Sequence, residues 1–230
     1  MLEIEVVSNA VAQTLGEKGC NIISELIIRP MKKKVFFKFI DGREVESSNL
    51  SDGYKRLVNI VTDLSIRCCL LNGKKYGNTC CLHTSGVVLI DEVDLHLHPE
   101  LQSVVLKSLH NTFPNLQFVV TSHAPMVMSS LMTDEENEVL QLQYRNGQYS
   151  ATPISTYGLD ASTILSLYMG QKARVSEVEE KLQQLFDLID GERYEEARTN
   201  LQKMLEEFGD KLPELIQAQA MLDFNMEADD

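Results

Sequence analysis

Two short apolar runs constrain this chain more than any other feature. Gly86-Val87-Val88-Leu89-Ile90 stops at Asp91-Glu92, and Gln117-Phe118-Val119-Val120-Thr121 stops at Ser122-His123. An uninterrupted apolar run of this length is the pattern of a strand covered on both faces in a parallel sheet. A helical stretch from about Pro99 to His110 lies between them, so the order is strand, helix, strand. That is a βαβ unit, whose crossover should be right-handed. The chain is therefore expected to be α/β with a parallel core. Asp91, Glu92 and His123 would then follow the carboxyl ends of neighbouring strands, on the sheet edge where α/β folds bind ligands.

The flanking segments build out from this unit. A helix is expected around Val6 to Leu15. Strands follow at Asn21 to Arg29 and Lys33 to Ile40, then the turn Asp41-Gly42 and a short strand Arg43 to Glu46, together a hairpin or meander. Lys32-Lys33-Lys34 at the bend reads as a solvated edge that guards against strand pairing, with phosphate contact as the sharper alternative. Ser51-Asp52-Gly53 opens a long helix, with Leu57, Ile60, Val61, Leu64 and Cys68 on one apolar face, and Asn72 to Asn78 reads as a loop. Beyond Pro125 come a short helix and a hairpin, Glu138 to Gln143 and Gln148 to Pro153, around Asn146-Gly147. The rest is helical: Ala161 to Met169, Val175 to Asp190, Tyr194 to Phe208 and Pro213 to Phe224, with Gly191 and Gly209 at the caps. Leu182, Leu185, Phe186 and Ile189 should face Ala197, Leu201, Met204 and Leu205 in an antiparallel pair.

Charge divides the chain in two. The formal net charge is -13, yet residues 1–130 hold 13 Lys/Arg against 13 Asp/Glu, while residues 131–230 hold 8 against 21. All the excess acidity belongs to the last hundred residues. It therefore says nothing against nucleic acid contact by the first part, although no basic patch there calls for it. No apolar run approaches the roughly 18 residues of a membrane span, and MLEIEVVSNA lacks the basic start and apolar stretch of a signal peptide. The expected location is cytoplasmic.

Cys20, Cys68-Cys69 and Cys80-Cys81 show no C-x-x-C spacing, and Cys68 continues the apolar face of its helix. Buried, hydrophobe-like thiols are expected in preference to a disulfide framework or a zinc site.

Three segments carry chemistry. Leu50-Ser51-Asp52-Gly53-Tyr54-Lys55 sits at a helix start, where a hydroxyl, a glycine and free N–H groups suit an anion, or where Ser51 is an ordinary cap. Asp91 at a strand end could hold Mg²⁺ through water, and Glu92 beside it could orient and deprotonate an attacking water. His123 could reach a γ-phosphate, or be a satisfied core histidine. Asp94-x-His96-x-His98 would share a face on a strand, as a zinc site could use.

Taken in order, LSDGYKR, VVLIDEVDLHLHPELQ and FVVTSHAP resemble the ABC-type ATPase heads of the SMC and RecF kind. The chain is most similar to the PtuA-like AAA-family ATPases of Septu and retron defence systems. The resemblance runs from about Asp41 to Phe224, and YGLDASTILSLYMG with the helices after it matches their C-terminal extension. It implies ATP and Mg²⁺ as cofactors, with Leu50, Ser51, Asp52, Gly53 and Tyr54 as the signature loop that meets the γ-phosphate of ATP held by an opposing subunit. It further implies Asp91 as the Walker B metal carboxylate, Glu92 as general base, Asp94, His96 and His98 in the D-loop, and His123 as the switch histidine. Head dimerisation and a partner effector such as an HNH-type nuclease are implied with them.

One departure qualifies this. No G-x-x-x-x-G-K-[ST] occurs in the chain, since Gly73-Lys74-Lys75 lacks the first glycine and the hydroxyl. The cradle for the α- and β-phosphates is missing, so the expectation is the C-terminal lobe of a head, helical extension included. The expected divisions are 1–48 (helix and meander), 49–160 (signature, Walker B and switch-histidine lobe) and 161–230 (acidic helical extension). A non-enzymatic interaction module, docking a partner through its acidic helices, stands as the alternative.

Overall fold

In the computed structural model, which describes residues 2–171 and 174–227, the chain divides into two units, Met1–Tyr168 and Met169–Asp230. The first is organised by two helices. Helix α1 (Leu2–Leu15) buries Val6, Val7, Ala10, Val11 and Leu15 along one stripe. It packs on α2 (Asp52–Tyr76), whose Leu57, Val58, Val61 and Leu64 form the matching stripe. The segment Asn72 to Asn78 is not a loop. α2 continues through it because Gly73 is buried against Cys69 and Leu2, Lys74 and Lys75 suit the helix C-terminus, and Gly77 ends it at φ +57°.

Between the helices runs an antiparallel meander, β1 (Ile23–Arg29), β2 (Lys34–Phe39) and β3 (Glu44–Glu46), in the order β1-β2-β3. Lys34 pairs with Glu46 at 2.7 Å across it, and Lys33 makes the left-handed bend at φ +51°.

A short helix, α3 (Cys80–His83), leads into β4 (Gly86–Ile90). The crossover is broken into α4 (Pro99–Gln102) and α5 (Val105–Thr112) where a single helix was expected. β5 (Leu116–Val120) then pairs parallel with β4, Ile90 opposite Val120. Thr14 of α1 and Thr112 of α5 share a buried hydroxyl contact of 2.8 Å, which fastens the crossover to the α1–α2 pair.

The expectation that these strands are covered on both faces is corrected. Val88, Ile90, Phe118 and Val120 pack on the core, while Val87, Leu89 and Val119 are 62%, 77% and 49% exposed. Side chains alternate across a sheet, and helices of this unit cover one face only.

Helix α6 (Pro125–Ser129), the hairpin β6 (Val139–Arg145)–β7 (Gln148–Ile154) and α7 (Ala161–Leu167) complete the unit. Asn146 and Gly147 both have positive φ, +52° and +81°, as a two-residue type I′ turn demands.

The second unit holds α8 (Ser176–Asp190), α9 (Tyr194–Phe208) and α10 (Pro213–Glu227). The expected pair is in fact a three-helix core: Leu182, Leu185 and Ile189 meet Ala197, Leu201 and Met204, and Leu215, Ala218 and Leu222 of α10 close it. Gly209 caps α9 at φ +67°. After α8 the left-handed residue is Glu192 (φ +57°), with Gly191 at φ -84°.

Candidate functional site

The register of the parallel pair sets Asp91 beside Thr121, one step past Ile90 and Val120. The main chain of Thr121 holds the strand ends together: its N–H donates to Ile90 O at 3.0 Å, and its carbonyl accepts from Val93 N–H at 3.0 Å. Its hydroxyl donates to Asp91 Oδ1 at 2.5 Å and accepts from Glu92 N–H at 2.8 Å. One side chain thus holds the Asp91 carboxylate and the main chain of Glu92. Glu92 turns the chain out of the strand at φ +50°, a conformation that costs a non-glycine residue about 1 kcal/mol or more. Both carboxylates face solvent.

Arg56, in the second turn of α2, reaches the same turn from that helix. Its guanidinium donates to Asp91 O at 2.7 Å and Glu92 O at 2.9 Å, so α2 is fastened to the backbone under the acids. Hydrogen bonds from a charged donor are worth roughly 1.5–3 kcal/mol when neither partner is left wet.

Leu50 to Tyr54 lead into and open the same helix. Leu50 is buried, and Ser51 caps α2, its hydroxyl accepting from Tyr54 N–H at 3.4 Å, so that oxygen already has a local partner. Asp52 is exposed. Tyr54 stands edge-on to Phe39, ring centroids 5.5 Å apart. Gly53 is buried, and a Cβ there would lie 2.3 Å from the carbonyl oxygen of His96. His96 is itself left-handed at φ +62°. The loop from Asp94 to His98 therefore needs both a hydrogen in place of a side chain at position 53 and a strained residue at 96. Within it Leu97 N–H donates to Asp94 O at 2.9 Å, Asp94 Oδ1 is buried without a partner among the described residues, and His98 Nδ1 lies 3.7 Å from Glu100.

The turn at Asp91-Glu92, the start of α2 at Leu50 to Tyr54 and the Asp94–His98 loop thus lie side by side. His123 follows β5 on that side, exposed and without a hydrogen bond or ion pair among the described residues. Thr121 and Arg56 were not singled out from the sequence. Thr121 carried a usable signal, since pairing the two apolar runs in parallel sets it opposite Asp91. Arg56 carried none, because the contact spans 35 residues.

Among the described residues no group of three or more His, Cys, Asp or Glu side chains is arranged to hold a metal ion, His96 and His98 included. Asp91 with the Thr121 hydroxyl suits at most one corner of a Mg²⁺ shell, an ion that keeps several waters and takes its other ligands from phosphate oxygens. No G-x-x-x-x-G-K-[ST] run occurs in these 230 residues.

The chain is similar to several known proteins. The "Retron Vc95 probable ATPase" of Vibrio cholerae serotype O1 biovar El Tor is 37% identical over 127 residues, 55% of this chain and 24% of the relative. "Septu protein PtuA" of Bacillus mycoides (strain KBAB4) is 27% identical over 181 residues, 76% of this chain and 24% of the relative. The chain thus spans about a quarter of the length of these curated relatives. A solved structure described as "Structural biochemistry of ATP-driven dimerization and DNA stimulated activation of SMC ATPases" superposes with a TM-score of 0.50 at 14% identity. The match covers 74% of this chain and 94% of that one, a likeness of fold. The span from α1 to the end of α6, residues 3–129, holds Leu50 to Tyr54, both acids and His123. That span matches the family described as "AAA domain, putative AbiEii toxin, Type IV TA system", and the chain belongs to it.

Proposed function

We propose that this chain is the signature, Walker B and switch-histidine portion of an ABC-type ATPase head that serves a phage-defence system. Asp91 holds Mg²⁺ through water, Glu92 takes the proton of the attacking water, and His123 meets the γ-phosphate. The loop Leu50 to Tyr54, with Asp94, His96 and His98 beside it, faces ATP held by a second head, so that ATP closes two heads together. The acidic helices of the second unit dock an effector, such as an HNH-type nuclease, whose activity head closure controls. The observation that carries this is the Thr121 hydroxyl shared between Asp91 and Glu92, with Arg56 tying the same turn to the signature helix. Further support comes from the retron and Septu relatives, and from a fold neighbour described by ATP-driven dimerisation.

Glu92→Gln tests it in a protein that also carries a G-x-x-x-x-G-K-[ST] lobe. Loss of a general base lowers turnover about 10²- to 10⁴-fold, while ATP stays bound and the dimer persists. Unchanged turnover would remove Glu92 from the mechanism. Removing 175–224 should abolish effector co-purification and leave the first unit folded; retained co-purification would count against docking by these helices.

The missing phosphate cradle favours a second reading, a non-catalytic interaction module. Titration calorimetry of ATP into this chain alone is expected to show negligible binding. Micromolar affinity would mean that other residues hold the phosphates.

A further inference from the structure

The lysine run at the bend of the meander, Lys32-Lys33-Lys34, has no place in the site described above, and its position contradicts its reading as an edge guard. β2 is the middle strand of the order β1-β2-β3, so it has no open edge for Lys34 to protect, while Lys32 and Lys33 lie in the turn and not on a strand. That turn is closed and fixed. Pro30 sets its first φ, Lys33 N–H donates to Pro30 O at 3.0 Å, and Lys33 is left-handed at φ +51°. Behind the turn the acids of β3 are already matched. Arg29 pairs with Glu44 and lies 4.5 Å over the Phe36 ring, and Lys34 is 2.7 Å from Glu46. Lys32 and Lys33 are exposed and have no ion pair among the described residues, and no Asp or Glu occurs between Glu25 and Asp41. Met31 stands among these cations, 99% exposed. One exposed apolar side chain is ordinary by itself. A Pro-Met tip on a fixed turn, with unpaired cations beside it, is a more particular arrangement.

We propose that the β1–β2 tip is a contact for duplex DNA, with Lys32 and Lys33 on backbone phosphates and Pro30-Met31 pressed against a base step from the minor groove. Proteins that enter this groove insert apolar wedges, Met and Pro among them, beside Lys and Arg, and kink the duplex as they do so. The lysines position the tip without reading sequence, and the closed turn holds the wedge in shape before contact, so little conformational freedom is lost on binding. With two free lysines the affinity belongs in the non-specific range, Kd of about 10⁻⁴ to 10⁻⁶ M. The acidity of the chain does not oppose this, since its excess lies in residues 131–230 and residues 1–130 are neutral. A lipid surface fits less well. Anchoring by charge takes clusters of about four to eight Lys or Arg, and behind Met31 the next apolar side chain, Ile28, is only 39% exposed. β2 runs from Lys34 at the tip to Phe39, about 17 Å, and it is Phe39 that meets Tyr54 at the start of α2. The contact is therefore separate from the edge that holds Asp91 and Glu92, and it does not depend on the ATPase reading.

The test titrates the 230-residue chain into a fluorescein-labelled duplex of about 30 base pairs and follows anisotropy over a range of salt concentrations. The double variant Lys32→Gln, Lys33→Gln should bind at least about tenfold more weakly at about 50 mM salt, and the slope of log affinity against log salt should fall by about 2. Lys74→Gln with Lys75→Gln removes the same charge from the last turn of α2 and should leave affinity and slope unchanged. Met31→Ser should weaken binding several-fold with the slope kept. It should also abolish the rise in energy transfer between dyes on the two duplex ends that a kink produces. All these side chains are exposed, so the variants are expected to fold, which far-UV circular dichroism checks. Absence of binding at low salt would overturn the proposal, as would a slope lowered equally by both lysine pairs or by neither. Equal affinity for the single strand, an unbent duplex, or tip-dependent binding to phosphatidylserine vesicles in place of the duplex would overturn it too.

Discussion

Replacing Gly53 by alanine separates two opposing effects that the structure sets against each other. Alanine is the better helix former by up to about 1 kcal/mol, so an unobstructed substitution within α2 should stabilise the chain. Position 53 is obstructed. The new Cβ would lie 2.3 Å from the carbonyl oxygen of His96 and 3.2 Å from its carbon. These atoms belong to backbone already held by a left-handed residue, and cannot swing away as a side chain could. Opening the gap to ordinary contact needs a shift of about 1 Å between α2 and the Asp94–His98 loop, and overpacking of that kind costs roughly 1–3 kcal/mol. After the full propensity gain, the expected net loss is up to about 2 kcal/mol. Gly73→Ala, twenty residues along the same helix, is the control, because its Cβ would meet side-chain atoms, Cys69 Sγ at 3.0 Å and Leu2 Cδ2 at 3.4 Å, which can give. The chain has no tryptophan, so urea unfolding is followed by far-UV circular dichroism. Amide exchange across residues 91–97 assigns the loss to the loop. A Gly53→Ala chain that unfolds at higher urea than wild type, as Gly73→Ala could, would refute the close approach and the coupling between α2 and the Asp94–His98 loop built on it.

Three further expectations follow from the same contacts. Thr121→Val keeps the shape but removes the hydroxyl between Asp91 and Glu92; the Glu92 amide should exchange faster and stability fall by about 1 kcal/mol, measured in urea. Leu89→Ala should cost well under the 2–5 kcal/mol of a core truncation, whereas Leu109→Ala, fully buried in α5, should fall within it; equal losses would contradict the open sheet face. In the second unit the Arg174 guanidinium, 2.6 Å from Glu214, holds that carboxyl below its ordinary range. A carboxyl lowered in the folded state contributes stability above its unfolded value and loses it as pH falls toward its folded value, so this pair is a reason for acid weakening. With both side chains about a third exposed the contribution is within about 1 kcal/mol, and Glu214→Gln should flatten the acid limb of stability against pH.

How far the sequence carried depended on the range of the interaction involved. The helices were legible because their apolar stripes repeat within the chain, as Leu57, Val61 and Leu64 do on α2 and Leu182, Leu185 and Ile189 on α8. The Asn146-Gly147 turn was legible because its positive φ values are a local demand. Motif order alone brought the family within reach. The extent of α2 was misjudged at Gly73-Lys74-Lys75, where local composition says loop and burial against Leu2 says helix. The second helix pair lacked its third member for the same reason, since α10 takes its place by contact with α8 and α9.

Local chemistry was enough to determine which residues stand at the ends of two parallel strands, because hydrophobic periodicity and turn chemistry act over a few residues. Only the tertiary structure could decide that Thr121 holds the Asp91 carboxylate and the Glu92 amide, that Arg56 reaches their backbone across 35 residues, that Gly53 leaves room for His96, and that one face of the parallel pair stays open. Each of these depends on distances between segments far apart in the chain, and those distances exist only after the helices have packed.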